Sequence, residues 1–88
     1  MSRLPSLTGR QLVTVLRWAD FVVIWQKGDH AFLQHPSDRR TIVPLYAGEI
    51  IGPVLLRKII RDVEMSRNEF MELTAKRKRR VLERRERR

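Results

Sequence analysis

Phe21-Val22-Val23-Ile24-Trp25-Gln26 constrains this chain more than any other stretch. Five of its six residues are β-branched or aromatic, and the run is too short for a comfortable helix, so it reads as a strand. Lys27-Gly28-Asp29 behind it is a tight-turn signal, and His30-Ala31-Phe32-Leu33-Gln34-His35 reads as a returning strand. Pro36-Ser37-Asp38 marks another turn, and Arg40-Thr41-Ile42-Val43 a third strand stopped at Pro44. Three strands joined this closely form an antiparallel meander.

Helical patterns flank the meander. Thr8-Gly9-Arg10-Gln11 fits a capping box, with Leu7 and Leu12 placed to staple it. Leu12, Val15, Leu16 and Ala19 then repeat at helical spacing, which predicts a first helix over Gly9 to Ala19. Leu45 to Ile51 is irregular, with Gly48 as its pivot. Gly52-Pro53 opens a second helix whose apolar stripe is Leu56, Ile59, Ile60 and Val63. Ser66-Arg67-Asn68-Glu69 is a second capping box, stapled by Met65 and Phe70, and starts a short third helix. Lys, Arg, Glu and Leu beyond it are residues that can prolong a helix.

The order is α-β-β-β-α-α, an α+β fold whose economical packing puts the first two helices on one face of the sheet. Val22, Ile24, Ala31, Leu33 and Ile42 are assigned to the covered side. Val23, Trp25 and Phe32 then form an open apolar face near His30, a surface suited to a partner.

Eighty-eight residues allow one small domain, and the absence of cysteine excludes disulfides and thiolate zinc sites. No secretory h-region or membrane-spanning stretch is present, and a reducing cytoplasm fits this composition. The net charge of +9 is uneven. Residues 76–88 hold nine Lys/Arg against Glu83 and Glu86, a net of +7, whereas residues 1–75 hold ten against eight, a net of +2. The expected division is a body over 1–75 and a basic tail over 76–88, either a helical extension or disordered. Such a block of charge favours polyanions.

His30 is the candidate for chemistry, because an imidazole takes and gives protons near neutral pH. A lone histidine after a turn is also a common structural residue, and residue chemistry leaves both readings open. Lys27, and Arg39 or Arg40 across the hairpin, are cations suited to a developing phosphorane charge. Arg57, Lys58 and Arg61 lie on the non-core side of the second helix and can track phosphates. His30 and His35 point to opposite faces of a strand and cannot share a metal. No phosphate loop, nucleophile signature or paired carboxylates stand out, and no cofactor is implied.

The ordered set of motifs resembles the HicA family of toxin ribonucleases from type II toxin–antitoxin modules. The resemblance spans most of residues 1–73. Leu4-Pro5-Ser6-Leu7-Thr8-Gly9-Arg10-Gln11-Leu12 resembles the family's start of helix one, and Gln26-Lys27-Gly28-Asp29-His30 its Gly-Ser-His motif. His35 to Leu45, Gly48-Glu49, Leu55 to Asp62 and Ser66 to Phe70 follow in the family's order. The resemblance implies a fold like the double-stranded-RNA-binding domain and ribosome-independent cleavage of messenger RNA by His30. It also implies a HicB-like antitoxin in a hetero-oligomer, and the open face of Val23, Trp25 and Phe32 beside His30 is where that partner is expected to dock. Three positions depart from the family: Asp20 replaces a usual glycine, Tyr46 a common histidine, and the basic tail is extra. A non-catalytic RNA-binding module and a purely protein-docking chain are the alternatives.

Overall fold

The computed structural model describes residues 4–86 and has the expected order. Helix α1 spans Gly9–Arg17, strands β1 to β3 span Val22–Lys27, His30–Gln34 and Arg40–Pro44, and helices α2 and α3 span Pro53–Asp62 and Arg67–Glu86. The sheet is antiparallel in the order β1-β2-β3. Its inner face, with Ala31, Leu33 and Val43, packs on Leu12, Val15 and Leu16 of α1 and on Leu56 and Ile59 of α2. Phe21, Val63 and Phe70 close that core. Among the described residues no helix is long and apolar enough to cross a membrane.

The caps form as their residues dictate. The Thr8 hydroxyl accepts from the Gln11 N–H at 3.3 Å, and the Gln11 side chain accepts from the Thr8 N–H at 3.0 Å. At α3 half of the expected box forms: the Ser66 hydroxyl accepts from the Glu69 N–H at 3.0 Å, without a return bond from the Ser66 N–H to the Glu69 side chain among the described residues.

Both α1 and α2 end in the same device. The Phe21 N–H donates to the Leu16 carbonyl and the Asp20 N–H to that of Arg17, with Asp20 at φ 69°. The Met65 N–H donates to Ile60 and the Glu64 N–H to Arg61, with Glu64 at φ 53°. This is the Schellman closure, which brings the buried residue after the turn back onto the helix and favours glycine at the left-handed position. Glycine would adopt the conformation of position 20 without strain. Asp20→Gly is expected to stabilise the domain by about 1 kcal/mol. Equilibrium urea unfolding checks this, and a destabilised variant would contradict the closure.

Four assignments of strand face, on β1 and β3, are corrected. Val23 pairs with Leu33 and packs against the core, while Val22, Ile24 and Ile42 are exposed at 55%, 54% and 46%. The register shifts between Val23 and Trp25, so Ile24 is the extra residue of a β-bulge. The bulge breaks the two-residue alternation, which leaves Ile24 and Trp25 both exposed opposite Phe32. On β3, Ile42 pairs with Phe32 and shares its outer face. Thr41 and Val43 turn inward instead, and the buried Thr41 hydroxyl is satisfied by the Asp62 carboxylate at 3.0 Å.

The third helix takes the helical-extension alternative. It is not short: twenty residues run unbroken from Arg67 through most of the basic tail to Glu86.

Candidate functional site

The β1–β2 turn places His30. Lys27 and His30 are Cα partners that flank the two-residue turn Gly28-Asp29, and Gly28 has φ 55°. A two-residue hairpin turn needs a positive φ at its first central residue, which glycine adopts without strain. Residues directly opposite on antiparallel strands project to the same face. Lys27 and His30 therefore stand side by side on the outer face, both exposed.

The His30 imidazole makes no hydrogen bond to the described residues. Its one ring neighbour among the described residues is Tyr46, edge-on with ring centres 5.9 Å apart. The Leu45 N–H donates to the Asp29 carbonyl, which ties the segment after β3 to the turn before His30 and brings Tyr46 there. Sequence reasoning treats position 46 only as a missing imidazole. Residues 45–51 carry no periodic signal, so the neighbour was not visible; its one clue is that Pro44, two residues earlier, lies opposite His30.

His35 has the opposite character. Its Nδ1 lies 2.8 Å from the Ser37 hydroxyl and accepts from the Ser37 N–H at 3.0 Å, and its ring packs on Phe21. It closes the β2–β3 turn.

The structure separates the expected cations. Arg39 does not flank His30: it donates to the Val63 carbonyl at 2.6 Å and to Ser37 at 2.8 Å, over the Phe21 ring. It joins the β2–β3 turn to the end of α2. Arg40 is opposite Gln34, four residues along β2 from His30, or about 13 Å. Its guanidinium bonds Asp38 at 3.0 Å and holds that carboxyl below its ordinary range. Antiparallel pairing explains both corrections, because residues just after the β2–β3 turn must lie at the end of the sheet remote from the β1–β2 turn.

On α2 the cations point two ways. Lys58, bonded to Asp62 at 2.9 Å, lines a groove with Ile24, Phe32, Arg40 and Ile42. Arg57 and Arg61 line a different hollow with Leu4, Val54 and Ile60. Of the expected cations, all among the described residues, Lys27 alone shares the immediate setting of His30.

Next to that pair the outer face is apolar. Trp25 and Phe32 are in ring contact at 4.9 Å, Trp25 is 56% exposed, and Ile42 continues the row across β3. Of the three residues expected to form an open face, Trp25 and the half-buried Phe32 do so; Val23 does not. Val22, Ile24 and Ile42 extend the surface in its place.

A free imidazole beside a lysine, bordered by an apolar sheet face, is suited to proton transfer at an anionic polymer and to capture by a partner. No curated protein matches the chain. The family model for the HicA toxin of bacterial toxin–antitoxin systems matches residues 9–65, from the first residue of α1 to just past α2. That match covers well over half of the 88 residues and includes both the His30 turn and the sheet, and the chain belongs to the HicA toxin family.

Proposed function

We propose that this toxin is a metal-independent endoribonuclease that cuts messenger RNA without the ribosome, with His30 as its catalytic residue. A toxin of this family is one half of a module whose other half is an antitoxin. The observation that carries the reading is the exposed His30 imidazole, free of hydrogen bonds to the described residues and opposite Lys27.

In this reaction the neutral imidazole removes the proton of a ribose 2′-hydroxyl. The 2′-oxygen attacks the adjacent phosphorus, and the bond to the 5′-oxygen breaks. The products are a 2′,3′-cyclic phosphate and a 5′-hydroxyl, the departing oxygen taking its proton from water or from the Tyr46 phenol. The Lys27 ammonium offsets the charge that develops on the non-bridging oxygens. One imidazole gives a limited rate factor, which suits a toxin acting on few messenger copies. Arg40 and Lys58 bind RNA farther along the outer side, and Arg57 and Arg61 add phosphate contacts on α2. A HicB-like antitoxin covers Trp25 and Phe32 with the neighbouring Val22, Ile24 and Ile42, and shields His30.

Purified toxin freed of antitoxin is expected to cut an RNA oligonucleotide in the presence of EDTA, leaving cyclic phosphate ends. The all-deoxy oligonucleotide of the same sequence stays intact, since it lacks the nucleophile. Comparable cleavage of DNA would refute the mechanism. RNA binding with no cleavage at all would make the chain a non-catalytic RNA-binding module instead.

A further inference from the structure

The second half of α3 leaves the domain. Among the described side chains of the helix Thr74 is the last buried one; Lys76 and Arg77 are half-buried, and residues 78–83 are exposed. Lys76, Arg77, Lys78, Arg79 and Arg80 are consecutive, and each helical step turns by about 100°, so cations face every direction around the axis. None of the five is ion-paired among the described residues.

The first turn of this extension is held in place. Lys76 Nζ lies 5.5 Å and Arg80 Cζ 5.7 Å from the centre of the Trp18 ring, just past the end of α1. Two cations one turn apart share one indole, a contact drawn by the ring's negative face. The extension therefore has a set direction relative to α1. Like charges at this spacing repel along a helix, so the segment gains from an anion that neutralises it.

Its pattern selects the anion. A folded protein partner needs an apolar stripe, and the exposed apolar residues here, Val81 and Leu82, are neighbours in sequence that diverge around the helix. A phosphodiester chain needs only cations, at any angle. Three of the five are arginines, whose planar forks match phosphate oxygens. The geometry points to Lys76–Arg80 of α3 as an arm that binds the RNA phosphate backbone without reading its sequence. The choice of RNA rests on the proposed substrate, whereas the arm itself does not depend on His30.

The test uses the full chain carrying His30→Ala, so that RNA stays intact, and a fluorescent oligouridine of about 20 nucleotides. Anisotropy is followed from roughly 50 to 300 mM KCl. Removing two single-strand phosphate contacts with Lys78→Gln/Arg79→Gln lowers the slope of log affinity against log salt by about 1.4, and weakens binding near 0.1 M by roughly 25-fold. Glutamine keeps the helix, which circular dichroism verifies. The charge-preserving pair Lys78→Arg/Arg79→Lys retains slope and affinity. An unchanged slope in the glutamine variant overturns the arm, whether or not His30 cleaves. Weaker antitoxin binding with an unchanged RNA slope would likewise overturn it, giving the segment to an acidic protein surface.

Discussion

Replacing His30 with alanine is expected to remove RNA cleavage and the growth arrest it causes, while the protein stays folded and still binds RNA. Loss of a positioned acid–base group costs roughly 10²- to 10⁴-fold in rate. The stability change should stay within about 0.5 kcal/mol, because the side chain is exposed and makes no hydrogen bond to the described residues. Cleavage of a labelled RNA, growth after induction and thermal unfolding separate the outcomes. A variant that cuts RNA at the parental rate removes His30 from catalysis. A variant that fails to fold instead gives the residue a structural role in the hairpin.

Gly9→Ala is expected to produce the largest loss of stability among simple substitutions at helix ends, with a sign opposite to the usual one. Alanine for glycine in an exposed helix gains about 1 kcal/mol. Gly9 is buried at the first turn of α1, against the end of β3. A Cβ there would overlap the Pro44 carbonyl oxygen and stand 2.9 Å from the carbonyl carbon and 3.1 Å from the Leu45 Cα. All three are backbone atoms and cannot rotate away. Relief requires α1 and β3 to move apart, at a cost of about 3 kcal/mol. For a domain this small that corresponds to a melting temperature lower by roughly 12 to 24 °C. The same shift moves Tyr46 relative to His30, since Pro44 and Leu45 position that segment against the β1–β2 turn. A variant as stable as the parent would show that the approach is not tight.

Most of the architecture was legible because it is written in short-range patterns. The Leu12, Val15, Leu16 spacing and the Thr8–Gln11 cap define α1 from residues within two turns of one another. Gly28 marks the hairpin, and the two-residue turn puts Lys27 beside His30 without help from the rest of the fold. The alternation in β2, with Ala31 and Leu33 inward and His30 and Phe32 outward, held throughout. Tyr46 and Arg39 show the limit. Each owes its role to a partner distant in sequence, His30 for one and the Val63 carbonyl for the other.

The sequence by itself determined which segments are helices and strands, where they start, and which histidine stands at an open turn. It also determined family membership, since the ordered motifs and the matched span coincide over α1 to α2. Only the tertiary structure decided which apolar side chains of β1 and β3 face the helices, and that Arg39 and Arg40 lie away from His30. The reason is physical. Local periods are encoded by near neighbours, whereas the face of a strand depends on its register with another strand, and a one-residue slip reverses every side chain. The bulge at Ile24 is such a slip, and it set Trp25 and Ile24 together on the open face.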